Sequence, residues 1–132
     1  WVALEGVARS GLGEGTRLTQ LDWVEEQFLS KFGMRIYPGT FNLEMSGAEW
    51  QKTLVQLKRS EGIEITPPEG FCRAKCFPVL LEDTIRGAVI FPDIAEYPAE
   101  KFEVIAGVSV TESLNVKEGA RIKVRLQLDD TE

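Results

Sequence analysis

The sequence predicts a mainly β fold: a small closed or nearly closed β-barrel carrying two or three short helices. Five to seven short segments show strand periodicity or strand composition, with turn signals between them. The strands lack regular helical crossovers, which argues against a doubly wound parallel sheet. Many short strands with frequent turns suit a barrel, because closure removes exposed edges. The chain has 132 residues, 43% hydrophobic and 27% charged. That is one ordinary domain with one sizeable core, so residues 1–132 are read as a single domain.

Each element has a local reason. Val2–Ala8 reads as a short strand that runs into a glycine-rich stretch, SGLGEGT, at Ser10–Thr16. Over Leu21–Phe32 the residues Leu21, Val24, Phe28, Leu29 and Phe32 recur at helical spacing, and Gly33 is a stop signal. Pro38-Gly39 marks a turn. Phe41, Leu43 and Met45 then alternate with Asn42 and Glu44, which is strand periodicity. Ser46 with Glu49 fits a capping box, and Trp50, Leu54 and Leu57 predict a second short helix behind it. Ile63–Gly70, with its Pro67-Pro68 pair, is a loop or an edge strand.

Phe71–Leu81 and Arg86–Phe91 read as strands joined by a hairpin turn at Glu82–Thr84, and Pro92–Pro98 as irregular. Phe102–Ala106 is a strand and Val110–Leu114 a short helix. The NVKEG turn leads into Arg121–Leu128, a half-buried final strand in which Ile122, Val124, Leu126 and Leu128 alternate with polar residues. No internal repeat or low-complexity segment stands out.

Composition removes several classes of function. The net charge of −6 disfavours a nucleic-acid partner. There is no histidine, so no mechanism can use one as base or nucleophile. Cys72 and Cys76, four apart on a predicted strand, share a face but sit too far apart for a relaxed disulfide. Two thiols alone do not make a zinc site. Both are expected as reduced, partly buried thiols, which points to a cytoplasmic location. No apolar run reaches the roughly 20 residues that span a bilayer. The opening WVALEGVARS, which begins at Trp1, shows no signal peptide.

Three stretches carry candidate chemistry. SGLGEGT has three glycines in five residues. No Gly-Lys-Ser/Thr follows, so it is not a Walker A loop, and its spacing is not that of a dinucleotide fingerprint. Two readings stay open: a β-turn with a bulge, or a concavity of backbone N–H groups that binds an anion. Thr40 and Asn42, two apart on a strand, project from one face. They are either part of a polar outer face or neutral oxygen ligands for a Mg²⁺ completed by substrate phosphates. Glu96, Glu100 and Glu103 form either a solvated acidic face or the source of a carboxylate that accepts a hydroxyl proton.

SGLGEG at 10–15, YPGTFNLEM at 37–45 and GAVIFP…EVIA…LNVKEG at 87–119 occur in this order. The combination resembles the archaeal-type CTP-dependent riboflavin kinases, from about Leu4 to Leu126. The resemblance implies a cradle-loop β-barrel that transfers the γ-phosphoryl group of CTP to the 5′-hydroxyl of riboflavin, giving FMN, with Mg²⁺ as cofactor. It implies that Gly11, Leu12, Gly13, Glu14, Gly15 and Thr16 cradle the nucleotide phosphates. Val108, Ser109, Val110 and Thr111 would help hold the nucleotide, and Thr40 and Asn42 the Mg²⁺. Glu103 would touch the flavin and is the candidate catalytic base. Ala95 falls where the family carries a flavin-contacting threonine.

The chain also departs from the family pattern. Ala95 lacks the hydroxyl, Glu96-Tyr97 stands where a tyrosine-histidine pair is usual, Gly107 replaces a proline, and Thr111 replaces an arginine. A lost arginine removes a bidentate partner for phosphate. The resemblance therefore implies a retained Mg–phosphate half and an altered flavin and base half. A non-catalytic nucleotide- or flavin-binding module, or a kinase with a changed acceptor, would fit the same residues.

Overall fold

Period-two alternation gives each strand one inward and one outward face, and that parity organises the molecule. The computed structural model describes residues 1–9, 21–66, 73–93 and 97–128. The strands are β1 (Val2–Arg9), β2 (Phe41–Glu44), β3 (Ile63–Ile65), β4 (Ala74–Leu81), β5 (Ile85–Pro92), β6 (Lys101–Ala106) and β7 (Arg121–Leu126). Three helices join them among the described residues: α1 (Asp22–Phe32), α2 (Ala48–Arg59) and α3 (Val110–Ser113). Six strands close into an antiparallel barrel in the order β4–β5–β6–β2–β1–β7, with β7 returning to β4. Closure works because β4 divides one of its edges: Ala74–Cys76 pairs with β3, and Val79–Leu81 pairs with β7. β3 is therefore an edge strand outside the ring. The mainly β barrel with helices expected from the sequence is the observed fold.

The inward residues fill the barrel. Leu4, Leu43, Phe77, Val79, Leu81, Val89, Phe102, Val104, Ile122, Val124 and Leu126 form its core. Trp50 and Leu57 of α2 join that core, and the Trp50 indole N–H donates to the Ala99 carbonyl at 2.9 Å. A second core lies on the outside of β4, β5 and β6. There Cys76, Ala88, Ile90 and Ile105 meet Val24 and Phe28 of α1, with Ile65 of β3. The stretches Gly87–Phe91 of β5 and Val104–Ala106 of β6 are thus apolar on both faces and read as short unbroken apolar runs for that reason. The Gln27 side chain bonds the backbone of Thr66 in both directions, at 2.6 and 2.8 Å, and ties α1 to the end of β3.

Some expectations need correction. Ser46 and Glu49 form no capping box. The N-cap of α2 is Gly47, at φ 94° and ψ 169°, and no side chain caps it. With the helix starting at Ala48, Ser46 lies one residue too early to reach the first free N–H groups. Cys76 is fully rather than partly buried, at 0% exposure, because it faces the second core. The final strand stops at Leu126, two residues short of Leu128. Elsewhere the expected elements are present to within a few residues. Gly33 ends α1 in the left-handed region at φ 65°, and the hairpin turn places Glu82 and Asp83 at φ 49° and 56°. No helix among the described residues is long and apolar enough to cross a membrane.

Candidate functional site

The outer face of β2 and β6 is polar where α1 does not reach. Antiparallel register sets its residues side by side, because directly opposed residues share a face. Asn42 lies opposite Arg9 of β1 on one side and Glu103 of β6 on the other. Thr40, two residues before Asn42, projects from the same face. Its hydroxyl lies 3.4 Å from Asn42 Oδ1 and 3.5 Å from Glu103 Oε1. Three oxygen-bearing side chains, one of them a carboxylate, therefore converge. Contacts this long are loose as hydrogen bonds, so the three are close without satisfying one another.

Glu103 is the organising residue. Its side chain is only 14% exposed. Oε1 faces Thr40. Oε2 accepts a hydrogen bond from the Tyr97 hydroxyl and lies 3.7 Å from Lys101 Nζ. Lys101 also sits over the Tyr97 ring, 5.4 Å from its centroid, and that ring packs edge-on to Phe91. Burial pushes the Tyr97 phenol well above its ordinary range, and the hydrogen bond to Glu103 and the carboxylate's charge push it further. The phenol therefore stays a proton donor to Glu103 through the physiological range.

Two clefts are lined by the partners of this carboxylate, Thr40 in one and Tyr97 and Lys101 in the other. One, of about 120 Å³, is lined by Thr40 together with Tyr37, Val104 and residues 108–111. Val108, Ser109, Val110 and Thr111 thus share a cleft with Thr40. The Ser109 hydroxyl accepts from the Glu112 N–H as the N-cap of α3, so its side chain already has a structural partner. The other cleft, of about 490 Å³, lies between Leu54 and Leu57 of α2, Lys75, Phe91, Tyr97 and Lys101. Lys75 Nζ donates to the Leu57 and Ser60 carbonyls at 2.7 and 2.8 Å and closes the C-terminus of α2.

Among the sequence-predicted site residues, Thr40, Asn42 and Glu103 are brought together, and Thr40 shares a cleft with 108–111. Glu100 is exposed, away from this cluster's contacts. Gly11, Leu12, Gly13, Glu14, Gly15, Thr16, Ala95, Glu96 and Cys72 lie outside the described residues. Strand β1 ends at Arg9, the register neighbour of Asn42. Tyr97 and Lys101 were not assigned roles from sequence. Lys101 carried a usable signal, since it lies two residues from Glu103 on one strand and so shares its face. Tyr97 carries no spacing signal, because it reaches Glu103 only through the path of the segment before β6.

A family model for CTP-dependent riboflavin kinases, described as domain of unknown function DUF120, matches residues 8–126. A riboflavin kinase from Methanoregula boonei is 34% identical over 96% of this chain and 58% of its own length. One from Picrophilus torridus is also 34% identical, over 96% of this chain and 58% of its own length. One from Aeropyrum pernix is 29% identical over 92% of this chain and 93% of its own length. The chain thus spans little more than half the length of the first two relatives and nearly all of the third.

Proposed function

The chain belongs to the family of CTP-dependent riboflavin kinases, and from that premise we propose that it transfers the γ-phosphoryl group of CTP to the 5′-hydroxyl of riboflavin, giving FMN. The observation that carries this reading is the convergence of Thr40, Asn42 and Glu103, with Thr40 lining one cleft and the Glu103 partners Tyr97 and Lys101 lining the other. On this reading the smaller cleft, with residues 108–111 along it, contributes to the nucleotide site, and Gly11–Thr16 supply contacts to the phosphates. The larger cleft has room for the flavin ring system.

Thr40 and Asn42 offer neutral oxygens on one face, a donor set that suits Mg²⁺, which retains waters and is completed by phosphate oxygens. When bound there, the cation would offset negative charge on the phosphates. The rest falls to the chain. Glu103 accepts the proton of the flavin hydroxyl as that oxygen bonds to the γ-phosphorus. The bond from the γ-phosphorus to its bridging oxygen breaks, and CDP leaves. Such a transfer needs mainly alignment and a receptive charge environment. Thr111, in place of an arginine, weakens the grip on the nucleotide without removing the reacting groups.

The test is direct. The folded protein is incubated with riboflavin, Mg²⁺ and each nucleoside triphosphate in turn, and FMN is sought by chromatography. FMN formed best with CTP is expected. No FMN with any nucleotide removes the kinase reading, and calorimetric binding of riboflavin or CTP without turnover then identifies a binding module. Turnover of the nucleotide with another hydroxyl compound identifies a changed acceptor.

A further inference from the structure

We propose that Tyr97, assisted by Lys101, is a positioning residue that acts through Glu103, fixing which carboxylate oxygen faces the reacting hydroxyl. The proposal rests on the kinase reading and deepens it. A carboxylate on a strand can rotate about its last bond and present either oxygen. Here one oxygen is engaged and the other is left available. Tyr97 donates its hydroxyl to Oε2, and Lys101 Nζ stands 3.7 Å from the same atom. Oε1 is left toward Thr40, at 3.5 Å, and Thr40 lines the smaller cleft.

The tyrosine is itself held in place. Its ring packs edge-on to Phe91 at a centroid distance of 6.4 Å and lies beneath the Lys101 ammonium. Phe91 packs in turn against Phe77 and Phe102 of the barrel core. The hydroxyl thus projects from a ring wedged at the rim of a rigid core, and it holds the carboxylate as that core holds the ring. A hydrogen-bond partner of this kind orients a reacting group without touching substrate, and its loss costs about 10- to 100-fold where the orientation matters.

Tyr97→Phe removes one oxygen and keeps the ring. The expected result is a fall in kcat of about tenfold or more with the KM for CTP within about threefold of the wild type and an unchanged melting temperature. The discriminating measurement is a double-mutant cycle with Glu103→Gln. If Tyr97 works only through Glu103, adding Tyr97→Phe to Glu103→Gln causes no further loss, whereas a merely structural tyrosine gives a second, additive loss. Lys101→Met serves as the second variant: a smaller fall in kcat is expected, also silent in the Glu103→Gln background. Full kcat in Tyr97→Phe, or additivity in the cycle, overturns the proposal while the kinase reading stands. A wild-type protein that makes no FMN overturns both.

Discussion

Asn42 is tied to its own chain only loosely, with its amide nitrogen 3.4 Å from the Thr40 carbonyl and its amide oxygen 3.4 Å from the Thr40 hydroxyl. Asn42→Ala is therefore expected to cost less than about 1 kcal/mol of folding stability. If Asn42 is one of two neutral ligands for Mg²⁺, the same change should lower FMN formation by about tenfold or more and raise the Mg²⁺ concentration needed for half-maximal rate. Melting curves and a Mg²⁺ titration of the rate measure the two effects separately. Activity equal to the wild type at every Mg²⁺ concentration would remove Asn42 from the metal site. At this scale the sequence is legible where spacing decides. Thr40 and Asn42 are two apart on a strand, and a strand's period puts them on one face whatever surrounds them. The approach of Glu103 depends on the register of β2 against β6, which no local pattern states. Tyr97 depends further on how the segment before β6 folds back, and it was visible only as a departure from a family pattern.

Strand β5 shows what an element demands of its residues. Gly87 lies opposite Ala106 of β6, and a Cβ there would stand 2.8 Å from the Ile105 carbonyl oxygen and 2.9 Å from Val104 Cγ1. The backbone atom cannot step aside without loosening the β5–β6 ladder that carries Glu103. Gly87→Ala is expected to destabilise the fold by about 1–3 kcal/mol, read as a lower urea midpoint with an unchanged slope. A midpoint equal to the wild type would mean that the two strands can separate freely. The elements themselves were legible because their signals are local: the spacing of Val24 and Phe28, the Gly33 stop, and the alternation through Ile122, Val124 and Leu126. The start of α2 departs from the sequence pattern for a local reason. A Ser-x-x-Glu pattern matches a capping box, but Gly47 at φ 94° takes a backbone conformation open to glycine, and the helix begins one residue later than the pattern implies.

At the scale of the whole molecule, one sheet separates two cores, and Cys76 reports on the outer one. It lies on β4 between Ile63 and Ile90 in register, beneath α1, at 0% exposure. Burial pushes its thiol far above the ordinary range, with only a partial opposing effect from Lys31. A raised pKa in the fold means that the unfolded chain releases this proton first as pH rises. The stability from burying the neutral thiol is therefore complete below the unfolded value and is lost above about pH 9, at about 1.4 kcal/mol per pH unit. Tyr97, also raised, acts with the same sign, and Lys75, lowered by burial, acts with the opposite sign. Comparison with Cys76→Ala cancels both. The variant should be about 1–2 kcal/mol less stable than the wild type near neutral pH, from the space left under α1. That gap should close as pH rises past about 9, because only the wild type has a buried thiol to lose. Urea unfolding of both proteins from neutral to alkaline pH measures it. A gap that stays constant would show that Cys76 ionises as readily in the fold as out of it, and that α1 does not seal the outer face of the barrel beside the Thr40–Asn42–Glu103 cluster.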